Sequence, residues 1–456
     1  MATQPSTPGV YIREDASLSL SVSQGNTAIP VFIGRFSPKD ASTLPKVTRV
    51  NSWLDFTTHY LINPVQSVSI TSTPPEPPEE DEPEKDPDPK AEPGSYTYTI
   101  SAVSYTSSYD ALRLYFQNGG GPCYILPLED VSDSSTVLPL LPELIEQAIN
   151  ITLLVCTERE YSYKTVVYGN LFPLLTDPNR GNYFLIADSL DGETVPGLNA
   201  IAQVAAYYPE LKIQQPPLTS EKDENVVIIG YEDAGTPSGQ VKNLAQLKRI
   251  NPPLYERVIS EMQQAIANNE GTISTSAVMA GVYCVTDASR GVWKAPANIA
   301  LNGIRDVTKR LTDDEQGDMN LKGINAIRYF TNKGFVVWGA RTLKDDDNWR
   351  YIPVRRLFNT AERDIKQAMR FAIFEPNSQP TWKRVRSAIE QYLYQLWQQG
   401  ALAGNSPQEA YFVEIGQDIT MSAGDIKNGQ MIAKVGMAAV RPAEFIILHF
   451  SQNVTQ

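Results

Sequence analysis

Histidine is almost missing from this chain: His59 and His449 are the only two in 456 residues. A Ser-His-Asp site would have to recruit one of them. His59 stands beside Tyr60 and reads as a surface or capping histidine. His449 falls inside a terminal apolar run, on the face of Phe445 and Ile447, and reads as a satisfied, half-buried side chain. The three cysteines, Cys123, Cys156 and Cys284, are lone and widely spaced. That pattern fits buried thiols in a reducing compartment and supplies no zinc ligand set. Positive charge is also short. The 39 Lys and Arg face 52 Asp and Glu, a formal net charge of −13, which argues against nucleic-acid binding. No apolar run approaches the roughly 20 residues of a membrane-spanning helix. Met1–Asp15 lacks the basic start and apolar core of a secretory leader. No Gly-x-Ser-x-Gly elbow occurs. Asn118-Gly119-Gly120-Gly121 follows a helix and precedes a strand, so it reads as a helix stop and not a phosphate loop. Asp345-Asp346-Asp347-Asn348 lacks the glycine and closing glutamate of a calcium loop and reads as a solvated turn. No cofactor or metal is expected.

What is present is a folded-protein composition, 42% apolar and 20% charged, long enough for two or three domains. Met1 to about Thr27 is rich in Ser, Thr, Pro and Gln, with a short β run at Val10, Tyr11 and Ile12. It reads either as a frayed end or as an arm that adds a strand to another subunit. Ile29–Gly34 opens the globular part as a buried strand, and Trp53–Tyr60 is helix-compatible. Thr73–Pro93 carries eight prolines and nine acids against Lys85 and Lys90, a local charge of −7. Such a stretch cannot bury apolar surface and predicts an extended, solvated loop.

From Tyr96 onward strands and helices alternate, which predicts a doubly wound α/β sheet. Strands are expected at Tyr124–Leu126, Ile151–Cys156, Tyr183–Asp188, Val226–Ile229, Ala277–Val285 and Phe335–Gly339. Helices are expected at Tyr109–Phe116, from Pro142, at Leu198–Tyr208 and at Leu254–Ala267, with a helix end at Ile324–Phe330. After Tyr351 two more helices follow. Asn359, with Glu362 three residues on, reads as the cap of the first. Trp382, Val385, Ile389, Tyr392 and Leu396 share a face of the second, and Gly400 and Gly404 stop it. Lys383, Arg384 and Arg386 crowd its start, a basic patch in an acidic chain that suggests an acidic partner surface. Ala443–Phe450 closes the chain as an apolar strand that needs a sheet to join.

Several of these pieces match a known family. Pro8-Gly9-Val10-Tyr11-Ile12, Pro30–Gly34, Leu112–Phe116 with Asn118–Gly121 and Gly291-Val292-Trp293-Lys294-Ala295-Pro296-Ala297-Asn298 are four of them. Ile324-Asn325, Val337-Trp338-Gly339-Ala340-Arg341-Thr342 and Arg441-Pro442-Ala443-Glu444-Phe445-Ile446 complete the set. Together the layout resembles the tail sheath proteins of contractile injection systems: contractile phage tails, R-type bacteriocins and extracellular particles of the antifeeding-prophage kind. The acidic Pro-rich stretch departs from the common pattern and suggests one of several sheath paralogues.

The resemblance implies an outer doubly wound α/β domain over residues 28–290, then a C-terminal α+β core domain over 291–456. An N-terminal arm at 1–27 and a C-terminal arm at about 441–456 would extend from them. It implies a structural subunit of six-fold rings around an inner tube, not an enzyme, held extended in a metastable state and contracting to drive the tube through a target envelope. Val10, Tyr11, Ile12, Phe445, Ile446, Ile447 and Leu448 would carry inter-subunit strand exchange. Lys383, Arg384 and Arg386 would contact the tube. The implied partners are sheath copies or paralogues, the inner tube protein, and baseplate and terminator proteins, with no nucleic acid and no direct membrane insertion. Assembly would take place in the bacterial cytoplasm, and the product would be a virion tail or a released particle. The competing reading is an α/β hydrolase acting through a carboxylate pair.

Overall fold

Neighbouring residues of the main strands point in opposite directions and enter two different cores. Phe32, Leu153, Val155, Phe184, Ile186, Ala205 and Tyr207 line one face. Val31, Ile33, Leu154, Cys156, Leu185, Ala187, Val204 and Ala206 line the other. A sheet buried on both faces is what a continuous apolar run such as Leu153-Leu154-Val155-Cys156 dictates. These features come from a computed structural model, which describes residues 22–39, 46–62, 65–75, 96–129, 131–132, 135–177, 180, 182–214, 223–233, 240–268 and 271–445.

The strands in chain order begin with β1 (Pro30–Gly34), β2 (Thr48–Val50), β3 (Val65–Thr73), β4 (Thr97–Tyr105) and β5 (Cys123–Pro127). Next come β6 (Leu153–Cys156), β7 (Phe184–Asp188), β8 (Val204–Tyr208), β9 (Leu211–Ile213) and β10 (Val227–Ile229). The last are β11 (Thr272–Ile273), β12 (Ile304–Val307), β13 (Ile324–Phe330), β14 (Gly334–Trp338), β15 (Tyr411–Ile415) and β16 (Ala433–Met437). The helices begin with α1 (Trp53–His59), α2 (Ser108–Gln117), α3 (Leu141–Gln147), α4 (Tyr161–Thr176), α5 (Leu244–Ile250) and α6 (Pro252–Asn268). They continue with α7 (Thr275–Arg290), α8 (Asp313–Leu321), α9 (Ile352–Ala368), α10 (Gln379–Gln398), α11 (Pro407–Ala410) and α12 (Ala423–Lys427).

The main sheet has eight strands in the order β14-β13-β8-β7-β6-β1-β5-β2. Its six inner strands are parallel, and an antiparallel strand closes each side. Helices α2 and α7 cover one face, and α3 and α4 cover the other. This is the expected doubly wound α/β architecture. A smaller sheet, β10-β3-β4, packs on α5 and α6 around Val65, Val68, Leu247 and Val258. Thr73 pairs with Thr97 across its hairpin, so the acidic Pro-rich run at 73–93 connects those two strands. Most of that run lies outside the described residues.

Packing divides the chain into two units, residues 26–360 with 441–456, and residues 1–25 with 361–440. The expected division at 290/291 differs from this, because β13 and β14 extend the sheet begun by β1 and the division falls inside α9 instead. Three element assignments are also corrected. Ala277–Val285 is helix α7 and Leu198–Tyr208 ends in strand β8. A short, fully apolar run carries no period to distinguish a buried helix from a buried strand. Ile324–Phe330 is a strand, paired with β8 on one side and β14 on the other. Asn359 is no cap. It sits within α9, where its amide exchanges bonds with Gln203 at 2.6 and 3.0 Å and its oxygen accepts from Arg355 Nε at 2.8 Å. The apolar stripe already starts at Ile352 and Leu357, and these tertiary bonds override the local capping signal.

In the unit formed by residues 1–25 and 361–440, α10 buries Val385, Ile389, Tyr392 and Leu396, as their spacing requires. Gly400 follows the helix with φ +81°, a left-handed geometry that suits glycine. Strands β15 and β16 form a two-stranded sheet.

Candidate functional site

In a parallel α/β sheet a ligand site is expected beyond the carboxyl ends of the strands, where the strand order reverses. Here β1 has β5 on one side and β6 on the other, so that place lies beyond Gly34. The chain fills it with its own side chains. Glu158, which follows β6, accepts from the backbone N–H of Arg35 and from Thr106 Oγ1, both at 2.9 Å. Burial pushes its carboxyl up, against the hydrogen bond from Ser108 and the Arg35 charge. A side chain at Gly34 would place Cβ 1.9 Å from Thr157 Oγ1. Lys164 on α4 donates to Asp188 at 2.8 Å and to Ser274 Oγ at 3.0 Å. Asp188 also accepts from Ser276, at 2.7 Å from N and 2.6 Å from Oγ. All four of these residues are buried. Such a saturated network stabilises the strand ends and offers no exposed nucleophile. His59 sits in the last turn of α1, exposed, with Nδ1 2.8 Å from the Asp55 carbonyl oxygen. His449 lies outside the described residues.

A second cluster joins Asn325 and Arg341, 16 residues apart, to Glu444, 103 residues beyond Arg341. Asn325, fully buried on β13, donates to the carbonyls of Ala206 (3.0 Å) and Arg341 (2.8 Å), and accepts from Arg341 N at 2.8 Å. Gly339 permits this, since a Cβ there would lie 2.7 Å from Asn325 Oδ1. With its backbone fixed, Arg341 forks onto Glu444, Nε to Oε1 at 2.9 Å and Nη2 to Oε2 at 2.7 Å. Asn320 Nδ2 donates to Oε1 at 3.0 Å and the Tyr351 hydroxyl to Oε2 at 3.3 Å. Burial opposes the charge on Glu444, but the Arg341 fork and the Asn320 amide outweigh it and hold its carboxyl below the ordinary glutamate value. The next residue, Phe445, is 71% exposed. This clamp therefore fixes the root of the C-terminal segment and releases an apolar side chain directly after it. All three segments lie within the family-like motifs, but those motifs by themselves assign Arg341 and Glu444 no role. Their opposite charges were the available signal.

Of the expected strand-exchange residues, Val10, Tyr11, Ile12, Ile446, Ile447 and Leu448 lie outside the described residues. Phe445 is described and belongs to no strand. Lys383, Arg384 and Arg386 do lie together on the exposed side of α10. The helix begins at Gln379, so they stand beyond its first turn, where the dipole penalty is smaller. Arg384 pairs with Glu375 at 3.3 Å and Arg386 with Glu390 at 2.8 Å.

The β15–β16 pair is the remaining feature of that unit. Its five-residue register runs from Tyr411–Met437 to Ile415–Ala433, with no third strand among the described residues. Val413 and Ile415 face inward, while Phe412 is exposed. Among the described residues neither β15 nor β16 pairs with a third strand, although the segment at Ala401–Ala403 bonds to Ala438 and Val440 just after β16; an unpaired outer edge is suited to strand addition.

Two family models match the chain: the phage tail sheath protein central domain over residues 234–343 and the phage tail sheath C-terminal domain over 344–453. The tail sheath protein of Vibrio phage KVP40 is 27% identical over 182 residues, 39% of this chain and 26% of the relative. That of Salmonella phage ViI is 26% identical over 176 residues, 38% of this chain and 27% of the relative. The matched stretch thus spans about a quarter of these curated relatives. Solved structures match over the whole chain. The helical sheath of the anti-feeding prophage in its contracted state is 44% identical with a TM-score of 0.71, covering 99% of this chain and 100% of that one. The sheath complex of the extracellular contractile injection system PVC, also contracted, is 37% identical with a TM-score of 0.65, covering 99% of each chain. The anti-feeding prophage baseplate contains a chain that is 44% identical with a TM-score of 0.69, again covering 99% and 100%.

Proposed function

The chain belongs to the tail sheath family of contractile injection systems, and on that premise we propose that it is a structural subunit of a contractile sheath around an inner tube. Subunits assemble as six-fold rings in an extended, kinetically trapped state. Contraction rotates and repacks them and drives the tube forward, with no nucleotide consumed. Chain ends carry the linkage: the segments at Val10–Ile12 and Phe445–Leu448 add strands to the sheets of neighbouring copies. Backbone hydrogen bonds then hold while the linkers swing.

The observation that carries this reading is the β15–β16 pair. The pair buries Val413 and Ile415 beneath it, and a two-stranded sheet with unpaired outer edges can take a further strand from another chain. A clamped C-terminal root ending in exposed Phe445 supplies one such strand donor. The saturated network beyond β1, β6 and β7 supports a structural role for the α/β unit over the hydrolase reading. The particle is a phage tail or a released extracellular injection particle, assembled in the bacterial cytoplasm with baseplate and terminator proteins at its ends. The basic face of α10 at Lys383, Arg384 and Arg386 meets the tube.

Deleting Met1–Ala16, or Phe445–Gln456, should leave a soluble subunit that no longer forms striated tubes in negative-stain images with the inner tube protein. Normal contractile tubes from either truncation would refute the arm linkage. Discrete small particles from the intact chain with its tube partner would refute the sheath reading itself.

A further inference from the structure

The first residues that the structure describes, 22–25, are held to their unit without any secondary structure. They belong to no helix or strand, and among the described residues no backbone–backbone hydrogen bond involves them. Val22 is buried, while Ser23, Gln24 and Gly25 are exposed. Two polar contacts fasten this stretch. Gln24 Nε2 donates to Gln399 Oε1 at 3.1 Å in an exposed position. The backbone N–H of Gly25 donates to Asp364 Oδ2 at 3.2 Å. All of these residues belong to the unit formed by 1–25 and 361–440.

Asp364 lies on α9 and is 3% exposed. The Tyr392 hydroxyl, from α10, donates to the same Oδ2 at 3.0 Å and fixes the direction of the carboxylate. Burial pushes the carboxyl up, against the bonds from Gly25 and Tyr392 and the Arg363 charge. A carboxylate is costly to bury, and an apolar side chain would serve the pairing of two helices better. The chain is fitted closely against it: a Cβ on Gly25 would lie 2.8 Å from Asp364 Oδ1. A backbone N–H aimed at a carboxylate is a charge-assisted bond, stronger than the neutral amide pair at Gln24.

We propose that Asp364 is the positioning residue of the N-terminal arm: its carboxylate fixes the point at which residues 1–21 leave the subunit. This rests on the reading of Val10–Ile12 as a strand donated to a neighbouring copy. About ten residues separate that strand from Val22, a reach of at most ~35 Å. With the root fixed, the donated strand samples a limited volume around its acceptor edge. With the root loose, the volume grows and the effective concentration of the strand at that edge falls. The C-terminal root is fastened separately, by Arg341 to Glu444 in the other unit, so each link can be lost while the other is kept.

The test compares three full-length variants: Gly25→Ala, Asp364→Asn, and Asp364→Ala with Tyr392→Phe. Gly25→Ala disturbs the contact from outside the helix pair. The double variant removes both buried polar partners together, so neither is left unsatisfied. Hydrogen exchange is read over residues 22–25 of the free subunit, with α10 as control, and striated tubes are scored by negative stain with the inner tube protein. Gly25→Ala and the double variant should each speed exchange at 22–25 by at least about 10-fold, leave α10 unchanged and lose striated tubes. Asp364→Asn keeps an acceptor and should recover part of both effects. Unchanged exchange at 22–25, or an equal rise in α10, overturns Asp364 as the fastening of the root. Faster exchange at 22–25 with normal tubes overturns its role in positioning the arm, and loss of tubes on deleting Met1–Ala16 then leaves the arm linkage standing. Normal tubes from that deletion overturn the arm linkage and this proposal together.

Discussion

Glutamine at position 444 should loosen the root of the C-terminal segment without unfolding the subunit. Glu444 receives two short guanidinium bonds, at 2.9 and 2.7 Å, and two weaker ones from Asn320 and Tyr351 at 3.0 and 3.3 Å. The Arg341 and Glu444 side chains are 11% and 20% exposed. The pair thus stands between a surface ion pair, worth under about 1 kcal/mol, and a fully buried one whose disruption costs about 3–5 kcal/mol. Glu444→Gln keeps the shape and one acceptor but removes the charge, so about 2 kcal/mol is expected, roughly a 30-fold drop in the docked root. Arg341→Met should cost about as much. Because the two act on one contact, the double variant should cost little more than either single, a coupling of about 1–2 kcal/mol.

Native-state hydrogen exchange over residues 438–445 reads this directly, with exchange in β7 and β8 as the internal control. A coupling indistinguishable from zero, or equal loss of protection in β7, would refute the clamp as a local device. The pH dependence follows from the depressed carboxyl. Its folded value lies below the ordinary 4.5, so the clamp contributes fully above that pH. Its contribution fades as pH falls from 4.5 through the folded value, while Glu444→Gln should show no such fading.

Two further substitutions probe the frame behind these surfaces. Asn325→Ala removes three hydrogen bonds at a buried position. It should lower stability by about 3 kcal/mol and also weaken the Arg341 fork, since Arg341 loses its backbone anchor; intact protection of residues 438–445 would count against that coupling. Lys164→Met leaves the Asp188 carboxylate buried without its cation. A loss of about 3–5 kcal/mol is expected in thermal or denaturant unfolding, and Lys164→Met with Asp188→Asn should cost less than Lys164→Met alone. Equal costs would show that the carboxylate is not the source of the penalty.

The sequence by itself determined the class of the fold and most of its elements. Period and turn residues are local, so Ser108–Gln117, Phe184–Asp188 and the buried stripe of Gln379–Gln398 could be read from spacing alone. Scarcity of histidine and of paired cysteine narrows the available chemistry whatever the fold. Tertiary structure decided what local pattern leaves undetermined. Whether Ala277–Val285 is helix and Val204–Tyr208 strand depends on which neighbours bury them, because an apolar run pays the same hydrophobic return in either state. Asn359 carries a cap signal, yet Gln203 and Arg355 hold it inside a helix. The clamp joins Asn325, Arg341 and Glu444 across more than a hundred residues, and Gly25 meets Asp364 across 339. Only the folded chain shows that such groups converge, because burial and contact are properties of the packed whole and not of a residue's neighbours in sequence.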